Sequence, residues 1–251
     1  MRKLVNKLWR PVMVLLLLLI VWQYSVIYFK VEDWLLPSPM KIVEEAILSR
    51  ETLKVHFLST LFLSLYGFLL GTAVGLTIAI LLHRVSFLKK TIYPLLILTQ
   101  NIPVIVLAPL LIIWFGFGIL PKLIIIKLVC FFPITISCID GFTQTPTELK
   151  HYMKMSGANA RQLFWKLEWP NSLPFLFSGL KISATYSVMG AVISEWLGAK
   201  SGIGVYMTLA SSSFRTDRVF VAIFFIMMLS LLFFLVIQLV EHWFITKKGR
   251  R

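Results

Sequence analysis

The side chains able to do acid–base, metal or nucleophilic chemistry are few and scattered. There are four histidines, His56, His83, His151 and His242, with 11 Asp and Glu and two cysteines, Cys130 and Cys138. The histidines fall in separate segments and the acids are sparse, so no metal-ligand set and no catalytic constellation is expected. Both cysteines lie inside one apolar run, which suggests neither a disulfide framework nor a zinc site. No Gly-rich run ends in Gly-Lys-Ser or Gly-Lys-Thr, so the chain carries no phosphate cradle for ATP and no cofactor is expected in it. Gly198–Gly204 bears glycines but reads as a flexible turn. What remains are polar groups inside apolar stretches: Gln100, Asn101, Lys127, Lys181, Ser187 and Glu195. An intramembrane charge is a functional candidate by default. Lys181 lies near a span end, from which it can snorkel. Gln100 and Asn101 either line a path or satisfy a break at Pro103. No chain of acids suited to a proton-driven carrier is present.

The elements that must position these groups follow from composition. Of 251 residues, 58% are hydrophobic and 14% charged, with a mean hydropathy of +0.85. Soluble domains are about 45–50% apolar and about 25% charged. An all-α integral membrane protein is therefore expected. A crossing takes about 20 apolar residues, and six fit: 11–29, 57–82, 92–115, 119–139, 175–197 and 219–244. The first run ends in Val26-Ile27-Tyr28-Phe29, which offers no signal-peptide cleavage site, so it reads as a retained span. Residues 1–10 form a short terminus and 11–251 one transmembrane domain. Gly116-Phe117-Gly118 and Pro121 divide the long apolar stretch between spans three and four.

The formal net charge of +14 sorts by side, and basic residues collect in the cytoplasm. With both termini cytoplasmic, the inner segments hold Arg2, Lys3, Lys7, Arg10, Arg84, Lys89, Lys90, Lys150, Lys154, Arg161, Lys166, Lys247, Lys248, Arg250 and Arg251. The outer segments hold only Lys30, Lys41, Arg50, Lys54, Lys122, Lys200, Arg215 and Arg218. The positive charge is thus an orientation signal, and no nucleic-acid partner is needed.

Two loops carry more pattern. After span one, Ser38 can cap a helix that Pro39 opens, with Ile42, Ala46 and Ile47 on one face against the membrane surface. The loop 140–174 is the longest inner connection. Glu148–Ser156 reads as helical, Gly157 suits the left-handed residue that ends a helix, Ala160–Leu167 reads as helical again, and Pro170 and Pro174 are expected to stop it. Such a hairpin is either a docking protrusion or an interfacial turn without a partner. Within the spans, Gly67, Gly71, Gly75 and Ala79 recur every four residues, as do Gly179, Ser183, Ser187 and Ala191. Small residues at that spacing allow close helix approach. Packing is the expectation for the first stripe. The second is richer in hydroxyls and is the better candidate for a path.

From Gly157 onward the loop resembles that of binding-protein-dependent ABC importer permeases. Their pattern is Glu-Ala-Ala, three residues, Gly, nine residues, Ile, one residue, Leu-Pro. Here Gly157 is followed after nine residues by Leu167, Glu168, Trp169 and Pro170. His151-Tyr152-Met153 stands in place of Glu-Ala-Ala, and Trp169 in place of Leu. Other segments resemble the nitrate, sulfonate, taurine and thiamine-precursor branch: Leu36-Pro37-Ser38-Pro39, Ala108-Pro109-Leu110, Trp114-Phe115-Gly116-Phe117-Gly118, Phe131-Phe132-Pro133-Ile134, Ile193-Ser194-Glu195-Trp196-Leu197-Gly198-Ala199 and Phe214-Arg215-Thr216-Asp217.

The resemblance implies a type I importer permease in a bacterial cell membrane, with no ATPase site of its own. It implies an ATP-binding partner subunit, an extracytoplasmic substrate-binding protein, a second permease copy and surrounding lipid. It assigns Glu148, Met153, Ser156, Gly157, Ala158, Leu167, Pro170 and Pro174 to the loop that meets the ATPase. Gln100, Asn101, Ser187 and Glu195 are the candidates for a translocation path. The cargo it implies is a small solute: an anion such as sulfonate, nitrate or taurine, or a pyrimidine precursor of thiamine. A self-sufficient channel or ion-coupled carrier would account for six spans but not for the spacing from Gly157 to Pro170.

Overall fold

Lipid offers no partner to a free peptide group, so a chain this apolar must satisfy its backbone internally. The computed structural model describes residues 2–248, with side chains for 9–245, and its only regular elements in that range are helices. The side chains of Arg2, Lys3, Lys7, Lys247, Lys248, Arg250 and Arg251, on which the expected cytoplasmic termini partly rest, lie outside the described residues.

The long helices are α1 (Arg2–Tyr28), α3 (Arg50–Arg84), α6 (Ile119–Thr143), α9 (Trp169–Glu195) and α11 (Thr216–Lys248). Between them lie α2 (Pro39–Leu48), α4 (Ser86–Thr99), α5 (Val104–Phe115), α7 (Thr147–Met155), α8 (Ala160–Leu163) and α10 (Ile203–Ser212). Among the described residues, five helical stretches are long and apolar enough to cross a membrane. A sixth crossing arises only if α4 and α5 count as one, and they are bent by 99°.

That bend departs from the single span expected over 92–115. Pro103 has no N–H and disfavours a helical residue before it. Asn101 Nδ2 donates to the Ile97 carbonyl at 2.8 Å, which satisfies a group the break exposes.

At the centre α6 lies along α9, with α3 against α6 and α11 against α9. Backbone approach between α3 and α6 depends on the small-residue stripe. A Cβ on Gly67 would run into Ile126, one on Gly71 would sit 2.6 Å from Cys130 Cβ, and one on Gly75 would sit 3.1 Å from Ile134 Cγ2. On α9 a Cβ at Gly179 would sit 2.8 Å from the Pro133 carbonyl of α6. Ser183 Oγ donates to the Cys130 carbonyl at 2.8 Å, and the Cys130 thiol donates back to the Ser183 carbonyl at 3.4 Å. Lys181, which can snorkel, pairs with Glu241 of α11 at 2.9 Å.

Pro170 and Pro174 do not stop the hairpin's second helix. The chain stays helical from Ala160 to Glu195, through one wide turn at Phe164–Glu168 in which Trp169 N–H bonds the Phe164 carbonyl five residues back. In a regular turn the Pro170 ring would press on the Lys166 carbonyl, and the widened turn relieves that collision. The expected loop 140–174 therefore shrinks, because α6 claims residues to Thr143 and the rest leads straight into α9. Pro121 likewise does not break the chain. It sits in the first turn of α6, where its missing N–H costs little.

Inserting a side chain between α3 and α6 should be costly. Gly71→Leu is expected to destabilise the folded protein by about 1–3 kcal/mol, read as a lower melting temperature in detergent. Gly118→Ala should leave it unchanged, since open space surrounds that position.

Candidate functional site

The polar side chains cluster at the two ends of the bundle. At the end carrying α10, three consecutive backbone donors at the helix start each find a side chain from another element. Gly202 N–H bonds His56 Nδ1 at 3.0 Å, Ile203 N–H bonds Thr60 Oγ1 at 2.8 Å, and Gly204 N–H bonds Glu195 Oε2 at 2.8 Å. Thr60 in turn donates to Glu195 Oε1 at 2.7 Å. A carboxylate at a helix N-terminus also meets the positive end of the helix dipole. Gly202 and Gly204 are required here: a Cβ on Gly202 would run into Glu195, one on Gly204 would sit 2.6 Å from the Val192 carbonyl, and Gly202 has φ +134°. The segment from Gly198 to Gly204, expected to be a flexible turn, is thus fastened, and it leads into a helix the apolar pattern did not reveal.

Nearby, Glu45 of α2 is buried and held by Arg215 Nη2 at 2.8 Å and Arg218 Nε at 2.7 Å. Arg215 also grips Asp217, which stabilises its charged form.

At the opposite end stand α7 and α8. Helix α7 ends in a Schellman turn: Ala158 N–H bonds the Met153 carbonyl and Gly157 N–H bonds the Lys154 carbonyl, both at 3.0 Å. Gly157 has φ +82°, a conformation side-chain-bearing residues resist. Two residues later Asn159 opens α8 with a capping box: its Oδ1 accepts from Gln162 N–H at 2.8 Å, and Gln162 Oε1 accepts from Asn159 N–H at 2.9 Å. One helix is closed and the next opened within four residues, which makes the corner stiff.

Behind the corner, buried Glu168 accepts from His83 Nε2 at 2.9 Å and from Lys150 Nζ at 3.0 Å. His83 stacks on Phe142 at 4.4 Å, and the Arg84 guanidinium lies 4.3 Å from the centre of the Phe164 ring.

Of the residues singled out in sequence, Gly157 and Ala158 form the turn itself, and Ser156 caps α7. Glu148 is exposed on α7 and Met153 half-buried, while Leu167, Pro170 and Pro174 belong to the helical run into α9. Gln100 and Asn101 sit at the α4–α5 break, where Asn101 bonds its own helix. Ser187 is fully buried and donates to the Ala184 carbonyl at 2.8 Å, so within one copy it faces protein, not an opening.

His56 with Thr60, and His83 with Lys150 and Glu168, were missed. Their one sequence signal was His56 and Thr60 four apart on a helix.

With the geometry in place, comparison with known proteins decides the family. Residues 67–246 match the model of the binding-protein-dependent transport system inner membrane component. The chain belongs to that family. It is a multi-pass permease subunit of an ABC importer in the cell membrane, without an ATPase domain of its own, and it works with a separate ATPase and a binding protein.

The chain is 35% identical to a formylaminopyrimidine transport permease of Halalkalibacterium halodurans, over 92% of this chain and 93% of the relative. It is 32% identical to a riboflavin transport system permease of Chloroflexus aurantiacus, over 91% and 86%. A putative aliphatic sulfonates transport permease of Bacillus subtilis is 33% identical over 75% and 69%.

Thr60→Val would leave the Ile203 N–H without its partner and remove one donor from Glu195. A loss of about 1–3 kcal/mol is expected for unsatisfied buried groups. It should appear as a lower melting temperature of the purified permease with ATPase binding unchanged.

Proposed function

We propose that α7 is the element on which the ATPase subunit seats, and that the α7 end of the bundle faces the cytoplasm with both termini. The observation that carries this is the uncovered apolar face of α7. Leu149, Tyr152 and Met155, three residues apart, are 48%, 71% and 89% exposed. The helix has 9 residues, none buried, too short and too polar to insert. An apolar face of that kind asks for a protein partner. Arg84, Lys89, Lys90, Lys154, Arg161 and Lys166 collect at the same end, in keeping with the charge bias of cytoplasmic loops.

The permease acts as a pair of copies around one path, and the face of α9 left uncovered in one copy is the candidate lining. It presents Ser178, Ile182, Thr185, Tyr186 and Met189, with hydroxyls and an aromatic ring but no charge. The near-complete overlap with the formylaminopyrimidine permease points the same way. The cargo is a small pyrimidine related to thiamine precursors, in preference to nitrate, taurine or another sulfonate.

Gly157→Val is expected to strain the Schellman turn and weaken ATPase capture roughly tenfold, the effect of about 1.4 kcal/mol, while membrane insertion is intact. Wild-type affinity in a pull-down of the ATPase by this variant would remove the docking role. For the cargo, the cognate binding protein purified from its host should carry a pyrimidine in mass spectrometry. A sulfonate or nitrate in that place would overturn the assignment.

A further inference from the structure

Helix α7 has no buried residue, so little packing holds it to the bundle. Its polar tie is Lys150, which reaches Glu168 Oε1 at 3.0 Å and the Phe142 carbonyl at 3.5 Å. Glu168 lies in the wide turn that opens onto α9. Its other oxygen accepts from His83, near the C-terminal end of α3. One buried carboxylate therefore touches the peripheral helix and the ends of two membrane helices.

The surroundings keep it there. His83 is stacked on Phe142, and Phe142, Phe164 and Trp169 pack around it with ring centres 5.5–6.4 Å apart. A buried carboxylate that loses a hydrogen-bond donor is left with an unsatisfied oxygen, so breaking either contact is unfavourable.

We propose that Glu168 is a positioning residue that couples α7 to the membrane helices. A displacement of α7 acts through Lys150 on Glu168, and from there on α9 directly and on α3 through His83. Without the link, α7 swings about the Thr145-Pro146 connection and its motion reaches neither Glu168 nor His83. The inference rests on the proposed seating of the ATPase on α7.

The test uses the complete transporter, permease with ATPase and binding protein, reconstituted in liposomes. Three quantities are measured: affinity of the ATPase for the permease, basal ATP hydrolysis, and the increment in hydrolysis caused by the binding protein as purified. In Glu168→Gln the increment is expected to fall roughly tenfold, within the usual range of coupling between sites, with affinity and basal rate within about twofold of wild type. Lys150→Met, on a helix without buried residues, should reproduce the result even if Glu168→Gln fails to fold. A wild-type increment in Lys150→Met, or a loss of increment in step with a loss of ATPase affinity, would overturn the link while leaving the docking proposal standing. Full ATPase affinity in an otherwise unchanged permease whose α7 apolar face has been replaced by charge would overturn the docking proposal and this inference with it.

Discussion

A helix that ends inside or beside a membrane leaves N–H and C=O groups that lipid cannot bond. Much of the polar chemistry here answers that need. Ser38 accepts from Lys41 N–H at the start of α2, Asn101 takes up a carbonyl at the end of α4, and Asn159 with Gln162 closes the start of α8. At α10 the demand is met by three side chains from two other helices, so the cap of one helix is also the joint between three. Polar residues that look like candidates for transport are, in several cases, the fasteners of helix ends. Glu195 and Asn101 are examples.

Helix α3 ties the two ends together. Its 35 residues extend about 50 Å at 1.5 Å per residue, well beyond a hydrocarbon core of about 30 Å. His56 and Thr60 therefore reach the α10 joint, while His83 and Arg84 reach the turn below α9. Between them the Gly67, Gly71 and Gly75 stripe lets α3 press onto α6, with only the side chains of α6 in the gap. A helix so closely seated moves with its neighbour, and that gives the two polar joints a common rigid member.

The periodic, long-range part of this architecture was legible in sequence. Five spans were visible as apolar runs, the glycine stripe as a spacing of four, and the Gly157 turn as a break between two helical patterns. The features that escaped depend on contacts between distant segments. Pro170 looked like a stop because its effect on an ordinary turn is known, whereas the widened turn that accommodates it has no signature of its own. Glu195 stood out as a charge in a span, but its partners are Gly204 and Thr60, the second on a helix more than 130 positions away. Helix α10 was hidden because its start is capped by other helices and not by its own residues. His83, Lys150 and Glu168 read only as charges on a loop until folding brought them together.

Helix α1 stands apart. It meets the rest of the molecule through α2, through Gln23 on the Met40 N–H and through Trp22 beside Phe220. From Val12 to Val21 its apolar side chains lie exposed. In a membrane such an uncovered face meets acyl chains, and a fluid neighbour has no shape to match. Exchanging one aliphatic residue for another along Leu15–Leu19 opens no cavity and causes no clash, so mutation there is filtered by hydrophobicity and length alone. Ile126, wedged where Gly67 has no side chain, has no such freedom. Within one chain, some positions can drift through evolution like solvent-exposed loops of soluble proteins, while others are held to a single residue by the helix opposite.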